Sequence, residues 1–200
     1  MLFKTREFVQ GFFNQIHVIH ALILRETRTR FGKHSLGYLW AFAEPLMWIG
    51  TMIILFELGN RKVPSGMEGV TFLATGLLPF IMFRKSLSQS MNAIKGNKTL
   101  LYFPQVRPLD LVAARTLLEG MTFLVIFVVI VLVNSLFTSV PRLDDPLKVL
   151  LGFFYVMMLG GGLGLVFSSL TGIFQTLELL INPLLRPLLW ISGCFFAAKE

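Results

Sequence analysis

Cysteine occurs once in this 200-residue chain, at Cys194. A single thiol excludes an intramolecular disulfide framework and a cysteine metal cluster; within its apolar run it reads as a small packing residue. Charge is also scarce: 14% of residues are charged, against roughly a quarter in a soluble domain. A chain so poor in charge cannot cover a globule with polar surface. His17, His20 and His34 are its only histidines. The first two stand at i,i+3, but no third ligand accompanies them, so no metal set is expected. Neither G-x-S-x-G nor H-E-x-x-H occurs. Gly96-Asn97-Lys98-Thr99 is only faintly like a phosphate-binding loop, because no glycine adjoins the lysine and no upstream glycine stands in register. Nothing therefore supports catalysis, or ATP binding by that route, in this chain alone. Leu2 to Val9 contain Lys4, Arg6 and Glu7 and do not form a cleavable signal peptide, so the spans themselves must direct insertion.

What is present is apolar. Hydrophobic residues make up 54% of the chain and the mean hydropathy is +0.72, which points to an all-α, polytopic membrane bundle. The net charge of +7 would raise nucleic acid as a partner in a soluble protein. Here the basic residues sit beside apolar spans, which reads as topology and lipid headgroup contact, and no RNP-like or zinc-finger spacing argues otherwise. The organising stretch is Arg25 to Trp48. Arg25, Arg28, Arg30 and Lys33 form a cationic collar against one carboxylate, Glu26, and from Leu36 the chain turns apolar as far as Leu58. Such a collar is retained in the cytoplasm and sets the direction of insertion.

Before the collar, Phe8, Phe12, Ile16, Ile19 and Ile23 recur at steps of three or four, as expected of an amphipathic interface helix over 1–33. Spans are expected at about 36–58, 70–92, 109–137, 147–170 and 176–196. The first is long enough to cross the hydrocarbon core at about 34 Å. It contains Trp40, Glu44 and Pro45, and a carboxylate there must face protein or water. The second is plainly apolar only to Phe83 and continues from Arg84 with one polar face. That face should line a cavity, a subunit contact or cytoplasm. Arg115 and Glu119 stand four apart in the third span, a spacing that favours mutual pairing. Gly160, Gly161, Gly162 and Gly164 in the fourth suit close approach of another helix. Glu178, Pro183, Arg186 and Pro187 suggest a kinked fifth span facing protein. The expected inner segments, 1–35 and 84–108, hold eleven Lys/Arg and the outer loops four, which places the N-terminus in the cytoplasm. The 20 Phe, 3 Tyr and 3 Trp suit lipid contact and core, and some could stack on sugar rings.

The run LILRETRTRFGKHSLGYLWAFAEPL (22–46) resembles the corresponding segment of membrane subunits of ABC exporters for bacterial capsular polysaccharide, the KpsM type. GLLPFIMF (76–83), NAIKGNKTLLYFPQVRPLDLVAAR (92–115) and LLINPLLRPLLWISGCFF (179–196) follow in the same order. The wider family includes O-antigen and teichoic acid exporters.

The resemblance implies a permease that acts as a homodimer in the inner membrane and moves lipid-linked polysaccharide. ATP and Mg would be bound by a separate nucleotide-binding subunit, with no cofactor in this chain. Periplasmic and outer-membrane export proteins would complete the route. Residues 93–108 resemble the coupling loop, with Gly96, Leu100, Tyr102 and Phe103 as its contact to the ATPase and a loop folded back on the bilayer as the alternative. Arg25, Arg28, Arg30 and Lys33 are the candidate substrate entrance, with topology and lipid retention as the alternative use. Trp40, Glu44 and Arg84 are candidates for the translocation wall, with helix packing as the alternative. The family fold has about six spans, so the sequence is expected to lack the last, with an atypical five-span form as the alternative. A passive channel or scaffold is the competing class, which the coupling-loop resemblance disfavours.

Overall fold

The computed structural model describes residues 2–31, 36–59, 69–137, 145–174 and 176–192. Lys33, His34, Cys194, most of the expected outer loops and the side chain of Arg30 lie outside the described residues. The described chain is helical, with α1 (Leu2–Phe31), α2 (Leu36–Leu58), α3 (Gly69–Met91), a single turn α4 (Ala93–Gly96), a 3-10 segment (Lys98–Tyr102), α5 (Pro108–Phe137), α6 (Pro146–Ile173) and α7 (Leu177–Ile191). No strand occurs among the described residues. Three of these helices, 69–91, 108–136 and 146–173, are long and apolar enough to cross a membrane.

The helix starts follow from local chemistry. Asp145 caps α6, its side chain accepting from the amides of Leu147 and Lys148 at 3.2 and 3.4 Å, and Pro146 fills the first helical position, where its missing N–H costs nothing. α5 opens on Pro108, and Asp110 in its first turn accepts from the amide of Arg107 at 2.8 Å. A carboxylate there also complements the positive end of the helix dipole.

α3 is the centre of the bundle, packed against α2, α4, α5, α6 and α7. Leu73, Ala74, Leu77, Leu78, Ile81 and Met82 are buried on it and meet Ile49 and Met52 of α2, Phe123, Ile126 and Phe127 of α5, and Phe153 of α6. The rings of Phe127 and Phe153 lie 5.2 Å apart. Two smaller clusters complete the core. Leu22 of α1 packs near Ala93, Leu111, Val112 and Ala114, and Leu87 and Met91 of α3 pack with Ile181 and Leu185 of α7.

Below Met82 the contact between α3 and α6 is made by small residues. Gly160 and Gly164, one turn apart, face Ser86 and Ser90, also one turn apart, and Gly161 faces Thr116 of α5. A Cβ on Gly160 would stand 3.1 Å from that of Ser86, and one on Gly161 2.7 Å from the Thr116 methyl. Backbones this close gain dispersion contacts that larger residues would prevent. Ser90 Oγ and Thr116 Oγ1 share a hydrogen bond of 3.0 Å inside this contact. Gly162 faces open space and takes no part in it.

On the lower half of α3 the expected polar face lines a cavity, and two further polar residues lie off it. Ser86 and Ser90 are buried against α6, while Arg84, Lys85, Ser88 and Gln89 line a cavity on another side. A 3.6-residue repeat spreads seven consecutive residues around nearly two turns, so polar residues at 84–90 reach two neighbours at once.

Candidate functional site

Two sites gather the polar side chains of the bundle. The first joins α1 to the segment between α3 and α5. Arg25 donates from Nη1 to Oδ1 of Asn97 at 2.9 Å. Asn97 is 5% exposed, and its amide donates in turn to the carbonyl of Ala93 at 3.1 Å. One residue along α1, Glu26 forms an ion pair with Arg115 of α5 at 3.1 Å. Arg115 also donates to the carbonyl of Gln89 at 2.9 Å. Near the middle of α1, the side-chain amide of Gln15 donates to the carboxylate of Asp110. α1 is thus fastened to α5 and to the 93–97 turn by side chains far apart in sequence.

From this anchored turn the 3-10 segment projects. Leu100 is half-buried and packs back into the α1–α5 cluster, whereas Tyr102 is 88% and Phe103 61% exposed. The amide of Leu100 donates to the carbonyl of Asn97 at 3.0 Å and that of Phe103 to the carbonyl of Leu100 at 3.1 Å, which gives the projection a fixed backbone. Gly96 is exposed, and a Cβ there would meet only the Arg115 guanidinium, at 3.6 Å. Of the four coupling candidates, Tyr102 and Phe103 form an outward aromatic pair and Leu100 faces inward.

The second site lies between α3 and α7. Arg84, Lys85, Ser88 and Gln89 of α3 and Asn182 and Arg186 of α7 line a cavity of about 370 Å³. Lys85 is held from α2 by Glu44 at 2.7 Å, and its ammonium stands 5.6 Å from the centre of the Phe123 ring. Such a cation over an aromatic face is favourable, more so when shielded from water. Glu178, at the start of α7, pairs with Lys95 of α4 at 3.4 Å.

Among the wall candidates, Arg84 lines this cavity, and Glu44 reaches it only through its pair with Lys85. Trp40 is 64% exposed on α2 and does not line it. In the collar, Arg28 is exposed and Arg25 is engaged by Asn97. Lys85, Gln89, Asn97, Asn182 and Asp110 were not singled out from sequence. The signal for one set was there: Glu178, Asn182 and Arg186 recur every four residues on α7, a polar stripe on an otherwise apolar helix. Among the described residues, no group of histidine, cysteine and carboxylate side chains could hold a metal ion.

Comparison with known proteins bears on both sites. Residues 17–200 match the family model of the ABC-2 type transporter. The chain is 34% identical over 189 residues to the polysialic acid transport protein KpsM of Escherichia coli, covering 93% of this chain and 72% of that protein. It is 32% identical over 197 residues to the capsule polysaccharide export inner-membrane protein CtrC of Neisseria meningitidis, covering 98% and 73%. A more distant relative is the O-antigen export system permease protein RfbA of Klebsiella pneumoniae, 28% identical over 163 residues and covering 79% and 60%. The matched region takes in both the aromatic projection and the polar cavity, and the chain belongs to the ABC-2 type transporter family of membrane proteins.

Proposed function

We infer that this chain is the membrane-spanning permease subunit of an ATP-driven exporter of lipid-linked capsular polysaccharide in a bacterial inner membrane, with its N-terminus in the cytoplasm. The observation that carries this reading is the Tyr102–Phe103 projection: two exposed aromatic side chains on a backbone tied to α1 and α5. A chain lacking an ATP site of its own needs such a fixed contact to receive work from a partner. The relatives at 32–34% identity with capsule-export names support polysaccharide as the cargo.

In this mechanism a separate nucleotide-binding subunit binds ATP and Mg and closes on a second copy of itself, and two copies of this chain form the pore. The aromatic pair seats in a groove of the ATPase and moves with it. Asn97 passes the movement to α1 through Arg25, and Arg115 ties α1 to α5 and to the lower end of α3. α1 lies along the cytoplasmic interface, so its displacement, with that of Arg28, Arg30 and Lys33, opens or closes the inner entrance. The polar cavity between α3 and α7 belongs to the path beyond it. A gate that couples through rigid contacts needs two discrete arrangements of those contacts, and the α1 junction supplies the element that changes.

A photo-crosslinker at Tyr102, in cells expressing the chain with its partner ATPase, tests the docking. Crosslinks to the ATPase are expected; labelling confined to lipid would reject it. The O-antigen permease relative favours one second reading, the same machine with a different glycan. Rescue of a capsule-permease deletion but not of an O-antigen-permease deletion separates the two.

A further inference from the structure

The cavity between α3 and α7 has an unbalanced charge. Three cations line it, Arg84, Lys85 and Arg186. Glu44 answers Lys85 at 2.7 Å. Glu178, the acidic end of the α7 stripe, is taken by Lys95 at 3.4 Å. Among the described residues, no carboxylate pairs with Arg84 or Arg186. Both guanidiniums stand on helices that bury Leu87, Met91, Ile181 and Leu185 against each other, so the charge lies beside an apolar contact. Arg84 is half-buried and Arg186 exposed, so both guanidiniums are within reach of a ligand.

We propose that Arg84 and Arg186 form a binding site for an oxyanion group, a carboxylate or phosphate carried by the transported molecule or by a lipid; this rests on the reading of the chain as a permease. A guanidinium offers a planar fork of donors that matches a carboxylate or phosphate two bonds at a time, and here one fork comes from each wall. Ser88, Gln89 and Asn182 add hydroxyl and amide groups to the same cavity, which can both donate to and accept from sugar hydroxyls. The volume of about 370 Å³ falls in the range of roughly 300–1,000 Å³ used by small-molecule sites. Lys85 is held to α2 by Glu44, so it adds positive potential while the two arginines make the contacts. A site of this kind selects acidic over neutral chains, and it releases its ligand when α7 moves from α3.

The test uses the full chain in phosphatidylcholine nanodiscs with the arginine reagent phenylglyoxal. Modification at Arg84 and Arg186 is read by mass spectrometry, with or without a sialic acid hexamer, with or without maltohexaose, and with phosphatidylglycerol added to the disc. Protection by the acidic hexamer and not by maltohexaose is expected and assigns the site to a saccharide carboxylate. Protection by phosphatidylglycerol alone assigns it to a lipid phosphate. Protection by neither acidic probe overturns the proposal. Direct binding is the second measurement: Arg84→Gln/Arg186→Gln should weaken the bound acidic probe about tenfold or more, and Arg84→Lys/Arg186→Lys less, since charge remains and the fork is lost. Equal affinity in the wild-type chain and the double glutamine variant also overturns it. Rescue of a capsule-permease deletion by the wild-type chain is scored in parallel. Failed rescue with intact protection sinks the permease reading and leaves the anion site standing; rescue without protection sinks the anion site alone.

Discussion

At Gly164 the approach of α3 leaves no room for a side chain, because a Cβ there would overlap that of Ser90. Gly164→Val should therefore push α3 and α6 apart and lower stability by about 1–3 kcal/mol, the usual cost of overpacking. Gly162→Val, two residues away and facing open space, is the matched control and should leave stability nearly unchanged. Thermal unfolding of both variants in detergent checks the pair. Lys85 and Glu44 make a second residue-scale case, their side chains 28% and 30% exposed. Removing one partner leaves the other half-shielded and unpaired, which is worse than losing both. Lys85→Ala should reduce polymer export more than Lys85→Ala/Glu44→Ala does, and the exchange Lys85→Glu/Glu44→Lys should restore much of it.

Among the elements, α1 is bound to the bundle by side chains rather than by a deep apolar face. Leu22 is its one fully buried described residue, with Val18, Ile19 and Ile23 partly buried around it. Glu26→Ala/Arg25→Ala should free the C-terminal half of α1 from the 93–97 turn and from Arg115, leaving its Gln15 and Leu22 contacts to α5 in place. The complex is then expected to keep binding and hydrolysing ATP while export falls, an uncoupling visible as ATPase activity without polymer movement. The 3-10 projection behaves oppositely. Tyr102→Ala/Phe103→Ala should leave the bundle folded and weaken ATPase docking by about 2 kcal/mol or more, the scale of buried aromatic anchors, measured by co-purification. The elements were largely legible from sequence, since long apolar runs and proline, glycine and charge punctuation announce helices. The all-helical class needed nothing further. What stayed hidden is side-chain partnership across helices. The four-residue spacing of Arg115 and Glu119 suggests a local pair, yet Arg115 reaches Glu26, which belongs to another helix. Leu100, grouped with Tyr102 and Phe103 by sequence, turns inward, because in a 3-10 turn of three residues Leu100 and Tyr102 point to different sides, while Phe103 lies past the turn in extended backbone.

For the whole molecule, the outward sides of α5 and α6 expose residues such as Val125, Leu132, Leu136, Leu151 and Phe154. So much contiguous apolar surface is stable only in lipid or against another apolar chain. Polar groups are drawn instead to the α1 junction and the α3–α7 cavity. From sequence the collar reads as a substrate entrance or a topology signal, and its ties to Asn97 and Arg115 appear only in the packed bundle. The cavity was legible only in part: the polar run from Arg84 and the stripe on α7 could each be read, but their cations stand about a hundred residues apart and only packing brings them together. The central claim is that this chain moves polysaccharide only when driven by a separate ATPase docked at Tyr102 and Phe103. Transport of acidic polysaccharide by inside-out membrane vesicles tests it most directly. Transport should require ATP, this chain and the nucleotide-binding subunit together, and should vanish in Tyr102→Ala/Phe103→Ala; transport that persists without ATP or without the second subunit would contradict it.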